Sequence, residues 1–282
     1  MQTQNDPTII IGIVKHQEKL HGVLSHWRTN NGILIAGQSG SGKSQTAAFI
    51  LNQYAALGVG LIICDYDSPD ANEETLSSRV AHLSESFYLP PVKSEVDIQA
   101  RLQILDAEHR LRLTNPDRRF PLMLVIDEVS AFLSFLSETK KKGEDPIKRF
   151  SQNLLQLRKQ NIRVMIIGQE WSSGFATSTL RIIRSAFTVK LVHRLDRANV
   201  SLVLDRAESD TIRTISKLRT GQLYFNGATL SVPLLDKTQR DWAIARMQDY
   251  TFHRGGYTNT TISQPIVYTL PKNEMKLRDI RS

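Results

Sequence analysis

Residues 37–44 of this chain read Gly-Gln-Ser-Gly-Ser-Gly-Lys-Ser, a spacing of glycine, lysine and serine that suits phosphate binding. The glycines let consecutive backbone N–H groups curl around phosphate oxygens, and a helix directly behind them adds its positive dipole. In such a loop Lys43 reaches the β- and γ-phosphates of a nucleotide, and Ser44 ligates Mg²⁺. The alternative is a degenerate loop kept as scaffold. The residues expected to contact the nucleotide are Gly37, Gln38, Ser39, Gly40, Ser41, Gly42, Lys43, Ser44 and Gln45.

Two acids, Asp127 and Glu128, directly follow the apolar run 121–126. An aspartate in this position holds Mg²⁺, usually through water, and the next glutamate polarises the attacking water as general base. A second acid directly after the metal-binding aspartate favours hydrolysis over small-molecule phosphoryl transfer. The alternative is a pair of acids that stabilises a helix start.

Three further polar residues are candidates for catalysis. Gln169 follows the apolar run 162–167, where an amide could sense the γ-phosphate or orient water; otherwise it is an ordinary polar residue at a strand end. Arg158 and Arg184 are candidates for an arginine finger, a charge offered from a neighbouring subunit to stabilise the transition state. For either arginine the alternative is a solvated charge.

A basic cluster and one aromatic residue are candidates for contact with DNA. Lys140, Lys141 and Lys142 precede a glycine, a pattern that suits the phosphate backbone without base readout, although a solvated loop has the same pattern. Trp171 opens a segment that could stack on bases, or it anchors the core. The net charge of +8 and pI of about 9.6 allow a polyanionic partner without requiring one.

The elements that must position these residues alternate between strands and helices, which predicts a parallel sheet whose polar residues gather at the carboxyl ends of its strands. The predicted strands are 8–14, 32–36, 61–64, 121–126, 162–167 and 186–192, with a hairpin of 221–225 and 228–232 around Asn226-Gly227. The predicted helices are 18–28, 45–57, 72–83, 94–113, 146–160, 180–185, 196–204 and 237–250.

Composition sets the cellular context. The 282 residues, 40% hydrophobic, suit one large α/β domain with a small appendage. The single cysteine, Cys64, excludes an internal disulfide and lies in an apolar run, as an inert buried thiol does. Nothing resembles a membrane-spanning helix or a signal peptide, so we expect a cytoplasmic protein without membrane contact.

Over about residues 30–235 the chain resembles the FtsK/HerA superfamily of ring-forming, DNA-pumping ATPases, and FtsK/SpoIIIE-type motor domains in particular. The phosphate loop and the acidic pair occur in all P-loop NTPases. More specific are later blocks, which are 157–163, 167–169, 184–189, 196–199 and 221–225. Two features depart from the family: Glu170-Trp171-Ser172 replaces a proline-containing stretch, and neither a membrane anchor nor a C-terminal winged-helix module is recognisable.

The resemblance implies an α/β, RecA-like P-loop NTPase with a mainly parallel central sheet flanked by helices. It places an N-terminal strand/helix extension at 1–30, the ATPase domain at 31–236, and a C-terminal helix and tail at 237–282. It implies a homo-oligomer, a hexameric ring, with ATP and Mg²⁺ between subunits. In that ring Arg158, or alternatively Arg184, reaches the next subunit's site, and the segments at Lys140 and Trp171 line the pore.

The expected function is an ATP-dependent motor that moves DNA, expected to be double-stranded, with little sequence preference because phosphate contacts dominate. A second hypothesis is a coupling or assembly factor whose ATP-ordered surface acts on a protein partner in replication, conjugation or mobile-element transfer. A third is a small-molecule kinase, against which the adjacent acids and the later blocks argue.

Overall fold

A computed structural model describes residues 7–16, 19–66, 75–138, 150, 156–169, 171, 185–204 and 207–247, and the backbone of 250–253 and 256–259. In chain order the strands are β1 (Thr8–His16), β2 (Lys19–His26), β3 (Gly32–Ala36), β4 (Gly60–Asp65), β5 (Phe87–Val92), β6 (Leu122–Asp127), β7 (Ile162–Gly168), β8 (Val189–Val192), β9 (Gln222–Phe225), β10 (Ala228–Ser231), β11 (Tyr250–His253) and β12 (Gly256–Asn259).

The first ten strands form one sheet in the order β2-β1-β10-β9-β8-β3-β7-β6-β4-β5. The strands from β8 to β5 in this order run parallel, whereas β9, β10, β1 and β2 add an antiparallel extension. Strand β3 lies between β8 and β7, near the middle of the sheet, and all five of its residues are buried. The sheet is therefore mixed and mainly parallel, and the phosphate loop follows a central strand. Strands β11 and β12 pair separately.

Helices cover both faces of this sheet. Because successive residues of a strand point to opposite sides, each central strand contributes to two cores. The described helices are α1 (Lys43–Ala56), α2 (Leu76–Arg79), α3 (Glu95–Thr114), α4 (Val129–Glu138), α5 (Arg197–Val203), α6 (Ser209–Ser216) and α7 (Lys237–Met247). Ile33 and Ile35 pack in one core with α1, α2 and α7, whereas Leu34 packs in a second core with α3, α4, α5 and α6. This three-layer arrangement confirms the predicted α/β class. None of the helices in the described residues is long and apolar enough to cross a membrane.

The predicted helix over 18–28 is wrong, because this segment forms strand β2. Leu20, Val23 and Leu24 have helical spacing, but the segment also contains Gly22 and pairs along its length with β1. Backbone pairing with a strand that is already buried outweighs a weak local helix preference. The N-terminal segment therefore contributes a β-hairpin, and β1 joins it to the rest of the sheet through β10.

Other elements differ less. Helix α3 starts as predicted, with Ser94 as the N-cap whose side chain accepts from the Asp97 amide, and the hairpin around Asn226-Gly227 is confirmed. The predicted helix over 72–83 is replaced, within its described part, by the short helix α2 and a 3-10 helix at Ala81–Ser86. Strand β5, helices α4 and α6 and the β11–β12 hairpin are not among the predicted elements. Most of 146–160 and nearly all of 180–185 lie outside the described residues.

Candidate functional site

The loop of residues 37–42 leaves strand β3 and turns sharply into helix α1. Gly40 and Gly42 have φ angles of +70° and +105°, a backbone conformation that only glycine adopts without strain. Gly42 is the N-cap, and helix α1 starts at Lys43, whose Nζ donates to the Gln38 carbonyl at 3.2 Å. The first N–H groups of a helix point beyond its N-terminus, so those of α1 point towards the inner, concave side of the loop, as an anion site requires.

His193, which follows strand β8, forms the floor of this loop. It is fully buried, and a Cβ on Gly37 would lie 2.6 Å from the His193 Cβ, so this contact requires glycine at residue 37. The His193 Nε2 is 2.9 Å from the Thr46 Oγ1 on α1. Burial lowers the pKa of His193 to about 4, and the charge of Lys43 acts in the same direction, so the imidazole is neutral at physiological pH.

Among the buried polar atoms that have no hydrogen-bond partner in the described residues are the Ser41 Oγ in the loop and the Gln45 Nε2 in the first turn of α1. Unpaired buried donors are costly and rare in native proteins, so they indicate a ligand or water that satisfies them. Together with the glycine-lined turn and the start of α1, they fit the phosphate groups of a nucleotide. The residues present thus suit the ligand expected from the sequence.

Two carboxylates lie side by side at the end of the neighbouring strands β4 and β6. Asp65 and Asp127 are paired residues in this parallel ladder. Asp65 is buried, and its Oδ2 accepts from the Ser77 amide at 2.8 Å. Burial, with the Asp65 charge adding to it, raises the pKa of Asp127 to about 7, although Lys43 acts in the opposite direction. A cation placed here would offset the repulsion between the two carboxylates, which is the second cause of this raised pKa after burial.

Glu128 has an uncommon backbone conformation for a side chain of its size, with φ of +53°. Its amide donates to the Asp127 Oδ1 at 3.0 Å, and its Oε1 accepts from the Ser130 hydroxyl at 2.5 Å. A left-handed residue other than glycine costs about 1–2 kcal/mol, and such strain concentrates at functional sites. The turn directs Glu128 away from the path of β6 at the same edge as the phosphate loop.

Gln169 lies directly beside the start of the phosphate loop. Strand β7 pairs with β3, and the Gly37 amide donates to the Gly168 carbonyl at 3.2 Å, so the residue after Gly168 adjoins the loop. Gln169 is partly buried. The carboxyl ends of three adjacent strands, β3, β7 and β6, therefore bring the phosphate loop, Gln169 and the acidic pair together, as the sequence predicted.

Trp171 is not available for contact with DNA. Its side chain is 2% exposed and packs in the core with α4 and α5, and its amide donates to the Asn199 Oδ1 at 2.8 Å. The expectation that this ring stacks on bases is therefore wrong, and the alternative of a core anchor is correct. The ring packs near Gly168, where a Cβ would lie 3.4 Å from the indole.

The remaining candidates lie elsewhere. Arg158 is exposed in a 3-10 helix before β7, at the end of the sheet opposite the phosphate loop. Seven-residue β7 separates this end from Gln169, a span of about 20 Å. Arg184 and the cluster at Lys140, Lys141 and Lys142 lie outside the described residues.

Two contacts at the site had no signal in the sequence. His193 belongs to no recognised motif, and its contact with Gly37 depends on the pairing of β8 with β3. Residues Thr220 and Gly221 lie against the outer side of the loop, where Thr220 donates to the Gly40 carbonyl. Only the position of Gly221 at the start of a late strand suggested a family feature, without any link to the phosphate loop.

Comparison with known families gives a match over residues 30–218 to the model for the central domain of the helicase HerA. No curated protein sequence matches the chain.

Solved structures share the fold at low sequence identity. EssC (ATPases 2 and 3) from Geobacillus thermodenitrificans is 14% identical with a TM-score of 0.59, and the match covers 86% of this chain and 48% of that one. EccC (ATPases 2 and 3) from Thermomonospora curvata, in complex with a signal sequence peptide, is 16% identical with a TM-score of 0.56, over 82% and 41%. The pCW3 conjugation coupling protein TcpA with ATPγS is 15% identical with a TM-score of 0.59, over 86% and 70%. The chain thus spans less than half the length of the EssC and EccC chains.

Proposed function

Because the chain belongs to the family of the HerA helicase central domain, and is thus a P-loop ATPase of the FtsK/HerA type, we propose that it is a ring-forming motor that hydrolyses ATP to move DNA. The observation that carries the hydrolytic part is the meeting of the phosphate loop, Gln169 and the Asp127-Glu128 pair at the ends of three adjacent strands. DNA as the partner is supported by the family, and the net charge of +8 is compatible with it.

In this proposal each residue at the edge of the sheet has one task. The loop amides and Lys43 bind the β- and γ-phosphates, and Ser44 and Asp127 hold Mg²⁺, which neutralises charge on the phosphates. Glu128 accepts the proton of the water that attacks the γ-phosphorus, while the bond to the bridging oxygen breaks and ADP and phosphate leave. Gln169 orients this water from the neighbouring strand.

The site is shared between subunits in the proposed hexameric ring. Arg158 lies at the opposite end of the sheet from its own phosphate loop, so it can act on a γ-phosphate only in a neighbouring subunit. Its exposure leaves it accessible to such a neighbour. Arg184 remains the second candidate for this role.

Contact with DNA is proposed for the cluster of Lys140, Lys141 and Lys142 and no longer for Trp171. Lysines that neutralise phosphates release counterions, so affinity should fall steeply with salt and depend little on sequence. An affinity that barely changes between low and moderate salt would contradict this mode of binding.

The decisive experiment is steady-state ATP hydrolysis with and without double-stranded DNA. The wild type should be stimulated by DNA, and Glu128→Gln should abolish turnover while nucleotide binding persists. A matched control is Glu85→Gln, the same change at an exposed glutamate in the 3-10 helix before β5, which should behave as wild type.

A second candidate function is that of a coupling factor that acts on a protein. It draws on the likeness to TcpA, a conjugation coupling protein, and to EccC in complex with a peptide, and on the burial of Trp171, which removes one proposed DNA contact. In this case hydrolysis would respond to a protein and not to DNA. An intact basal activity without DNA stimulation would favour it.

A further inference from the structure

The outer side of the phosphate loop, away from the side that would hold the phosphates, is contacted by residues 219–221 at the entry to strand β9. This segment is separate in the chain from the phosphate loop and from the Asp127-Glu128 pair. The Thr220 Oγ1 donates to the Gly40 carbonyl at 3.0 Å. The Gly221 amide donates to the Ser41 carbonyl at 3.1 Å. Two consecutive carbonyls of the loop, those of Gly40 and Ser41, are therefore bound from the side opposite to the concave side that would hold the phosphates.

These contacts fix the direction of the loop's peptide groups. Within one planar peptide group the carbonyl and the N–H point in opposite directions. A Ser41 carbonyl that faces Gly221 therefore directs the Gly42 amide away from Gly221 and towards the concave side. The two segments are in direct contact, because a Cβ on Gly42 would lie 3.1 Å from the Gly221 nitrogen.

The segment is itself fixed by the β9–β10 hairpin. Val232 donates from its amide to the Gly221 carbonyl at 2.9 Å, and the Arg219 amide donates to the Gln222 Oε1 at 2.9 Å. Gly221 has a φ of +80°, which permits the tight turn on which the contacts of Thr220 and Gly221 with the phosphate loop rely. Leu218 and Leu223, on either side, are buried in the cores.

We propose that Thr220 is a positioning residue for nucleotide binding, which holds the glycine-rich loop in its binding conformation before the nucleotide arrives. A loop with Gly37, Gly40 and Gly42 has an unusually large conformational freedom to lose. Fixing its peptide groups beforehand lowers the entropy that binding must remove, so the affinity for phosphate rises. Thr220 touches neither the water nor the γ-phosphate in this role, so the chemical step does not depend on it.

The test compares Thr220→Val, which removes the hydroxyl at nearly the same shape, with Thr220→Ser, which keeps it. The matched control is Thr229→Val, the same change at an exposed threonine on β10. The dissociation constant of a fluorescent ADP analogue, KM and kcat for ATP, and the thermal midpoint are measured on the full chain. Loss of one hydrogen bond should weaken ADP binding and raise KM about 2- to 10-fold in Thr220→Val, with kcat little changed.

The comparison separates positioning from a general effect on stability. Thr220→Ser should bind ADP as wild type does, and Thr229→Val should leave ADP affinity unchanged. The proposal is overturned if Thr220→Val binds ADP as tightly as wild type, if serine fails to restore binding, or if Thr229→Val weakens it equally. A lower thermal midpoint of Thr220→Val with unchanged affinity would show that the hydroxyl only stabilises the hairpin. Because ADP binding needs no hydrolysis and no DNA, these outcomes are independent of the motor function.

Discussion

His193 and Thr46 connect the end of strand β8 to the first turn of helix α1 through a contact of 2.9 Å between Nε2 and Oγ1. Both residues are fully buried. Helix α1 begins with Lys43, three residues before Thr46, so this contact fixes the helix that carries the lysine proposed to bind phosphate. The histidine also excludes any side chain at Gly37, so it sets both ends of the loop.

The low pKa of His193 should make the folded protein sensitive to acid. The unfolded imidazole titrates near pH 6.5, while the folded one titrates near pH 4, so the unfolded state binds more protons between these values. Stability from this group is complete above pH 6.5 and is lost as the pH falls towards 4, by about 3 kcal/mol. Asp127 changes stability in the opposite direction over this pH range, so the effect of His193 is read as a difference between variants. In urea unfolding at several pH values, wild type should lose about 3 kcal/mol more stability between pH 6.5 and pH 4 than His193→Gln does.

The exposed His21→Gln provides the control, since it should keep the acid dependence of wild type. If His193→Gln lost stability between pH 6.5 and 4 as steeply as His21→Gln does, His193 would not be the group responsible.

In the protein without metal, the ionised carboxylate of Asp127 should lower the free energy of unfolding. Its raised pKa means that the folded state favours the protonated acid, so its stability cost is absent below about pH 4 and grows as the pH rises to 7. At pH 8 and in the presence of a chelator, Asp127→Asn should therefore raise the free energy of unfolding by at most about 4 kcal/mol, which is measured as a higher thermal midpoint. At pH 4 it should change the midpoint little, and the exposed Asp117→Asn should change it little at either pH.

Residues at the edge of the sheet could be predicted because their signal is local. The buried apolar runs before Asp127-Glu128 and before Gln169 predict parallel strands. Because the carboxyl ends of parallel strands lie at the same edge of the sheet, the polar residues that follow them are expected there. Strand β2 could not be predicted, because its choice of structure depends on pairing with β1. The roles of His193 and Thr220 depend on contacts between residues that are more than 140 positions apart in the chain. Neither sequence spacing nor residue type reports contacts of that kind.

The conformation of Glu128 should appear in a comparison of two substitutions. Alanine at an ordinary position is more stable than glycine, by about 0.5–1 kcal/mol within helices or strands. At a φ of +53° the order should reverse, with Glu128→Gly more stable than Glu128→Ala by about 1 kcal/mol, because only glycine relieves the strain. Both variants should lose ATP hydrolysis while ADP binding persists. Chemical denaturation compares the stabilities, and equal or inverted values would contradict a strained turn in solution.

Action of Arg158 across a subunit interface should be visible in mixed rings. Arg158→Ala should bind ADP normally and hydrolyse ATP slowly, because the phosphate loop is intact but the neighbour lacks the arginine. Lys43→Ala should be inactive because its own phosphate loop lacks the lysine, although its Arg158 is intact.

Mixing the two variants in equal amounts tests the shared site. About one quarter of the interfaces then combine an intact loop with an intact arginine, since successive subunits contact head to tail. Hydrolysis should therefore recover to about a quarter of the wild-type rate if the interfaces act independently. Mixing Arg158→Ala with the double variant carrying Lys43→Ala and Arg158→Ala should restore nothing. Recovery in that control, or full activity of Arg158→Ala alone, would exclude Arg158 as the residue that completes the neighbouring site.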